Sequence, residues 1–231
     1  MKIISLSSSI AGPACAIATA IKKHFYNNDY QTNIFDYLEI SLESINQFLL
    51  LDSDEIYHLD FDIEKSYQNV SDKTSIKFKY FDKVFSHHDL PSHFNEVDIL
   101  ELKNKYIRRY NRLINYIESQ DKIFFLRYGN ESCDLINNFY KYVKDLNPYL
   151  TIYFIHLDYS HDNYNSQAIY DNINFENYFY FNFANYVSDD IIYNDDLFFR
   201  TLQYDWKTLY EDVIKKLLND DEKKNIYFSN N

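Results

Sequence analysis

Residues 122–129 form the stretch KIFFLRYG, and this stretch decides the fold. From Ile123 to Tyr128 every residue except Arg127 is apolar, which is typical of a parallel strand covered on both faces. Gly129 ends the apolar run, and a stretch with helical periodicity follows it. The sequence therefore predicts a strand that passes into a helix through a glycine.

Before and after this strand, the sequence predicts an alternation of strands and helices. We expect further strands at 2–8, 151–157 and 178–183, with two less regular ones within 52–80. We expect helices after Gly12-Pro13, at 41–51, at 98–118, between Ser132 and Pro148, and at 205–218. This succession predicts an α/β fold with a mostly parallel sheet and helices on both faces. The arrangement is Rossmann-like, with three layers, in a single domain over 1–231.

Glycine is scarce in this chain, and the two that remain are informative. Only Gly12 and Gly129 occur in 231 residues, whereas about 16 are expected at the usual frequency of about 7%. Both follow a predicted strand, so both are expected at backbone positions that tolerate no other residue. The carboxyl ends of parallel strands are where α/β proteins build their active sites.

Composition and charge exclude several classes of function. A net charge of −12 argues against binding to nucleic acid or to an acidic membrane. No apolar run has the 18 or so residues that span a bilayer. The first residues resemble a strand more than a signal peptide, and two cysteines do not make a disulfide framework, so we expect a cytoplasmic protein. P-loop and GxGxxG motifs are absent, and we expect no cofactor.

Cys15 is the first candidate for a chemical role. It lies in the first turn of a predicted helix, where the positive helix end favours the thiolate and suits a nucleophile. The alternative is a small side chain packed under a loop. Cys133 also lies in a first turn, and because it projects away from the apolar helix face we expect it to face solvent. It is the only other thiol that could pair with Cys15.

Histidines and carboxylates supply the next candidates. The loop that contains His88 and Asp89 offers a base beside a carboxylate, although Asp89 could instead fix the loop. His156 and Asp158 match no established zinc spacing, and we expect no metal site.

Arginines are concentrated in one helix of this acidic chain. Arg108, Arg109 and Arg112 lie in the predicted helix 98–118, with Arg109 at the flank of its buried face. Arg127 lies near the end of a buried strand and needs an anionic partner. That partner is either an internal carboxylate or a substrate group, and the sequence leaves both open.

Several blocks of this sequence occur in an order that resembles a known family. The blocks are ACAIATAIKKH (14–24), IFDY (34–37), FSHHDL (85–90), KYIRRYNRL (105–113) and DKIFFLRY (121–128). Together they resemble the uncharacterised bacterial and large-virus proteins described as papain-like cysteine peptidases. The resemblance implies Cys15 as nucleophile, with Asp36, the His88-Asp89 pair, the arginines of 105–113 and Arg127 as further family positions. It also implies a papain-like α+β fold as the alternative architecture.

Three functions follow as hypotheses. The first is a thiol-dependent hydrolase or acyltransferase, with Cys15 as nucleophile, His88 as base and Asp36 or Asp89 orienting it. The second is a transferase for a nucleotide sugar or another anionic substrate, bound by arginines such as Arg109 and Arg127, with Arg108 nearby. The third is a protein-interaction module with a tyrosine-rich surface. The substrate is expected to be a small molecule, a glycan or a peptide.

Overall fold

The computed structural model describes residues 2–8, 17–22, 30–65, 74–81, 84–86, 89–90, 93–158 and 172–182. Within these residues there are eight strands. They are β1 (Lys2–Ser8), β2 (Glu39–Ile40), β3 (Phe61–Lys65), β4 (Thr74–Phe78), β5 (Val84–Ser86), β6 (Lys122–Tyr128), β7 (Thr151–Asp158) and β8 (Tyr178–Asn182). The eight form one sheet in the order β3-β4-β5-β2-β1-β6-β7-β8.

The sheet has a parallel part and an antiparallel part. The neighbouring pairs β2-β1, β1-β6, β6-β7 and β7-β8 are parallel. Strands β3, β4 and β5 form an antiparallel meander, whose last strand pairs with β2. The prediction of an α/β protein with a mostly parallel sheet is confirmed at this level.

Helices connect the strands. Residues 17–22 are helical (α1), and the described chain also contains α2 (Leu42–Leu49), α3 (Ser53–Tyr57), α4 (Glu96–Ser119) and α5 (Cys133–Leu146). Helix α4 begins where the Asn95 side chain accepts hydrogen bonds from the backbone N–H groups of Val97 and Asp98. The Asp98 carboxylate accepts in return from the Asn95 N–H, which completes a capping box. Helix α5 follows Ser132, whose hydroxyl accepts a hydrogen bond from the backbone N–H of Leu135.

The core is built on β6, which is covered on both faces as its apolar run predicts. Phe124 and Phe125 point to opposite faces of the sheet, and both are fully buried. Phe125 packs edge-on against Phe139 of α5, with ring centroids 5.0 Å apart. Phe124 stacks on Tyr153 of β7 at 4.4 Å.

Two parts of the sequence prediction differ from the structure. Ile56 and Tyr57, expected in a strand, belong to α3, because Asp52 and Glu55 form a capping box that begins a helix there. Strands β2 and β5 were not predicted, since runs of two and three residues carry no readable period. The turn at Gly12-Pro13 and the helix predicted at 205–218 lie outside the described residues.

Gly129 has a backbone conformation that only glycine adopts easily, because its φ is 138°. We expect Gly129→Ala to lower the free energy of unfolding by about 1–3 kcal/mol. Urea denaturation measures this change. Asn130→Ala, at the exposed neighbouring position, is the matched control, with a change expected within about 0.5 kcal/mol. Equal effects of the two substitutions would show that the φ of Gly129 is not required.

Candidate active site

The sheet changes direction between β1 and β6. From β1 the chain continues to β2 on one side, whereas from β6 it continues through α5 to β7 on the other side. Such a divergence leaves a crevice at the carboxyl ends of the two strands, where ligands of α/β proteins bind. In the sequence, residues 9–16, which contain Cys15, follow β1, and residues 129–132 follow β6.

The carboxyl end of β1 contains a bulge. Ser5 pairs with Leu126 and Ser8 pairs with Tyr128, so β1 has one residue more than β6 in this interval. Ser7, within the bulge, has a φ of 56°, which is uncommon for a residue with a Cβ atom. Its hydroxyl donates to the Leu38 carbonyl next to β2, and its N–H donates to Ser5 Oγ at 3.0 Å. The bulge is therefore held by hydrogen bonds of its own.

Arg127 lies opposite this bulge and is fully buried. Its Nη1 donates to the Leu6 carbonyl at 2.8 Å, and its Nε donates to Glu131 Oε1 at 2.7 Å. Nη2 donates to the same carboxylate oxygen. Burial lowers the pKa of Arg127, and the Glu131 carboxylate opposes that shift. Of the two partners that the sequence left open for this arginine, the structure contains the internal carboxylate.

His156 fixes the turn after β6. The ring is fully buried, and Nε2 bonds to the Gly129 carbonyl while Nδ1 lies 2.7 Å from the Tyr178 hydroxyl. A carbonyl oxygen only accepts, so Nε2 carries the hydrogen. In the neutral ring, Nδ1 then accepts from Tyr178. The turn at Gly129 is thereby connected to β7 and β8.

A second group of polar side chains lies where α4 packs beside β5. This group, the α4 cluster, consists of Ser86, Asp89, Lys105, Tyr106 and Arg109. Asp89 accepts hydrogen bonds from Ser86 at 2.7 Å, from Lys105 and from Tyr106. Burial alone would raise the pKa of Asp89, but these three donors outweigh burial and hold the pKa below its usual value. The cluster fixes the residue that directly follows His88.

Arg109 connects the α4 cluster with a second buried carboxylate. Its Nη1 lies 4.0 Å from Asp89 Oδ1 and has no hydrogen-bond partner within the described chain, although the side chain is only 11% exposed. Asp36 is fully buried, and it accepts hydrogen bonds from Tyr30 and Asn33. Burial raises the pKa of Asp36 to about 7, despite those donors and the nearby Arg109 charge.

Asp36 should make stability fall as the pH rises. Its pKa of about 7 in the folded chain exceeds the ordinary value of 3.8, so the folded state holds more protons than the unfolded state between those values. The free energy of unfolding therefore decreases from about pH 4 to pH 7, by up to about 4 kcal/mol from this group. We expect Asp36→Asn to remove this slope in urea titrations at several pH values. An unchanged slope in the variant would show that Asp36 is ionised in the folded protein at pH 5.

The other arginines of α4 have different surroundings. Arg112 donates to the Thr32 carbonyl, which fixes the loop before Asp36. Arg108 is exposed and, with Lys105 and Asp89, lines an open pocket of about 410 Å³. Arg108 therefore has access to solvent that Arg127 does not have.

The predicted site residues are thus distributed over two described regions. Asp36, Asp89 and Arg109 lie together beside α4, while Arg127 lies at the carboxyl ends of β1 and β6. Cys15 and His88 lie outside the described residues, and their roles stay predictions.

Cys133 is half-buried, whereas the sequence predicted a side chain that faces solvent. It packs against the core, and it also lines an open pocket together with Asn137 and Asn172. Burial raises the pKa of the Cys133 thiol.

Sequence reasoning missed three residues that shape the site. The sequence contains a signal for Glu131, since a buried arginine calls for a nearby carboxylate and Glu131 is four positions away. His156 was considered only as a metal ligand, although a histidine inside an apolar strand usually has hydrogen-bond partners. Nothing in the serine-rich sequence around Ser7 indicates that its φ is positive.

Among the described residues, no group of three or more His, Cys, Asp or Glu side chains is arranged to hold a metal ion. In the same part of the chain, no helix combines the length and the apolar character needed to cross a membrane.

The described residues define the chain as a mixed α/β protein with one eight-stranded, mostly parallel sheet. Comparisons with protein-family models, with curated proteins and with solved structures gave no significant match for this chain.

Proposed function

We propose that this protein is a thiol-dependent hydrolase or acyltransferase whose active site lies at the carboxyl ends of β1 and β6. The observation that carries the proposal is the divergence of the chain at these two strands, because the segment that leaves β1 there contains Cys15. The resemblance to the papain-like cysteine peptidases supports the same residue as nucleophile. The cytoplasm, with its reducing environment, suits a free catalytic thiol.

We further propose a Rossmann-like three-layer arrangement. The buried cluster that includes Ile4, Ile123 and Phe125 contains residues of α2, α4 and α5. Phe124 and Leu126 point to the opposite face and are also fully buried. A right-handed crossover from β1 to β2 assigns α1 to that opposite face.

The sheet register supports an approach of Cys15 and His88. Ser8 at the end of β1 and Phe85 of β5 both pair with Glu39, so they are two strand spacings, or about 10 Å, apart. Cys15 is seven positions after Ser8, and His88 is three positions after Phe85. Chains of these lengths can span that separation.

Each residue then has a defined role in the proposed reaction. His88 takes the proton of the Cys15 thiol, and the thiolate sulfur forms a bond with the substrate carbonyl carbon. The bond from that carbon to the leaving group breaks, and His88 returns the proton to the leaving group. Water or an acceptor alcohol or amine then breaks the thioester. Backbone N–H groups at the start of α1 stabilise the oxyanion.

The carboxylates and arginines act around this centre. Asp89, whose oxygens are occupied by Ser86, Lys105 and Tyr106, is the residue next to His88 and is held in place by these donors. Arg108 and Arg109 supply positive charge for a polar or anionic part of the substrate. Asp36 lies near Arg109.

A transferase that holds phosphate between Arg109 and Arg127 is the second candidate. Arg109 favours this transferase function, because its Nη1 has no hydrogen-bond acceptor within the described chain. Arg127 favours it less, since Glu131 and the Leu6 carbonyl already occupy its guanidinium.

Reaction with p-nitrophenyl acetate tests the thiol proposal. We expect a rapid burst of one equivalent of p-nitrophenolate and an acetyl group on the peptide that contains Cys15. Cys15→Ser should abolish the burst. Cys133→Ser is the matched control and should leave the burst unchanged. A wild-type protein without a burst, or a burst that survives Cys15→Ser, contradicts the proposal.

A further inference from the structure

We propose that the open pocket beside α4 binds a ligand with one carboxylate and one ammonium group, as the two ends of a short peptide have. The carboxylate binds at Arg108 and Lys105, and the ammonium group binds at Glu101 and Asp98. This assigns a class of substrate to the pocket, an inference that rests on the substrate-binding role of Arg108 in the proposed function and not on the thiol chemistry.

Charged side chains follow one another in a definite order along one face of α4. Asp98, Glu101, Lys105 and Arg108 are spaced three or four residues apart, so they lie on the same face of the helix. All four line the pocket of about 410 Å³, together with Asp89. Two negative side chains are thus followed by two positive ones. Glu101 and Arg108 are two helical turns, or about 10 Å, apart along the axis.

The cationic end of the pocket lacks internal partners. Arg108 is exposed, and within the described chain it forms no ion pair or hydrogen bond. The neighbouring Arg109 has its Nη1 buried without an acceptor in the same part of the chain. The sequence contains 35 Asp and Glu residues against 23 Lys and Arg, so internal carboxylates are abundant. Two adjacent guanidinium groups without a hydrogen-bonded carboxylate indicate that a carboxylate of a ligand completes the site.

The acidic end of the pocket has carboxylate oxygens for an ammonium group. Glu101 is exposed, and among the described residues it forms no ion pair with Lys105, which donates to Asp89 instead. Such a pair is the favourable one for a glutamate four residues before a lysine. Asp98 uses Oδ2 to accept from the Asn95 N–H in the cap of α4. The two carboxylates therefore suit a cationic group that enters from solvent.

The floor and the net charge of the pocket fit the same class of ligand. Leu90 and Leu102 are buried and line the pocket, so the hydrocarbon part of a ligand contacts apolar side chains. Charges in or beside the pocket cancel, which favours a ligand without net charge over a phosphate. These are the three carboxylates and three cationic side chains of Asp89, Asp98, Glu101, Lys105, Arg108 and Arg109.

Titration with δ-aminovalerate, followed by ligand-observed NMR, tests the proposal. This compound has the two charged ends of a short peptide and no peptide bond that could be cleaved. Valerate and amylamine have the same hydrocarbon chain with only one of the two charges. We expect δ-aminovalerate to bind at least about 10-fold more tightly than either, because each charged end forms its own hydrogen bonds.

Substitutions at the two ends of the pocket should have different signatures. Arg108→Gln and Glu101→Gln should each weaken δ-aminovalerate binding by about 10-fold or more. Arg108→Gln should also remove the preference over amylamine, and Glu101→Gln the preference over valerate. Lys103→Gln, on the same helix, is the matched control, and we expect its affinity within about 3-fold of the wild type. A cooperative urea transition verifies that each variant is folded.

Three results would each overturn the inference: equal affinities for δ-aminovalerate and valerate, binding that survives Arg108→Gln, or no binding at tens of millimolar. The burst with p-nitrophenyl acetate separates these failures from a failure of the proposed function, because that ester has no charged ends for the pocket. A protein with a burst and without binding loses this inference alone. A protein that binds δ-aminovalerate without a burst loses the thiol chemistry and keeps the pocket.

Discussion

Replacement of Glu131 by alanine is expected to lower the free energy of unfolding by about 3–5 kcal/mol. The substitution leaves the Arg127 charge fully buried without the carboxylate that pairs with it in the described part of the chain. An uncompensated charge in a low-dielectric interior is among the most destabilising changes that one substitution can make. Urea denaturation at neutral pH measures the change.

The control for this prediction is the removal of both charges. Arg127→Met combined with Glu131→Met fills similar space without a buried charge, and we expect stability within about 2 kcal/mol of the wild type. If Glu131→Ala and the double variant lose the same free energy, packing rather than the ion pair explains the effect. In that case the ion pair between Glu131 and Arg127 would not contribute to the free energy of unfolding.

His88→Ala is expected to reduce the rate of Cys15 acylation by about 100-fold or more, which is the usual contribution of a general base. The expectation follows from Asp89, which is held by Ser86, Lys105 and Tyr106. This anchoring fixes the residue next to His88. Stopped-flow measurement of the p-nitrophenolate burst gives the rate.

His87→Ala provides the matched control, because it removes an imidazole from the neighbouring position in the sequence. We expect its acylation rate to stay within about 3-fold of the wild type. A similar loss in both variants would assign the effect to the segment as a whole and not to a base. No loss in either would exclude both histidines from the proton transfer.

The parallel part of the fold could be predicted from the sequence, because its signals are local. Strands β6 and β7 are nearly continuous runs of apolar residues. A half-buried antiparallel strand would instead alternate apolar and polar residues. The periodicity of α4 identified most of its buried face, including Leu102, Tyr106 and Leu113. Gly129 marked the turn from strand to helix because the sequence contains only one other glycine, Gly12.

The antiparallel part and the details of the site could not be predicted in this way. Strands β2 and β5 exist because they pair with each other, and pairing over more than 40 positions is invisible to a local pattern. The bulge at Ser7 depends on Arg127, more than 100 positions away. Asp36 was identified only through the family resemblance, whereas its raised pKa results from complete burial.

The central claim is that Cys15 is a reactive thiolate at the divergence of β1 and β6. The pH dependence of alkylation by iodoacetamide, followed separately for the two cysteine peptides, tests it most directly. We expect the rate for Cys15 to be half-maximal below pH of about 8.5, the value for a free thiol. For Cys133, whose pKa is raised by burial, we expect a half-maximal rate at higher pH. Two thiols that titrate together at or above the pH of free cysteine would contradict the account.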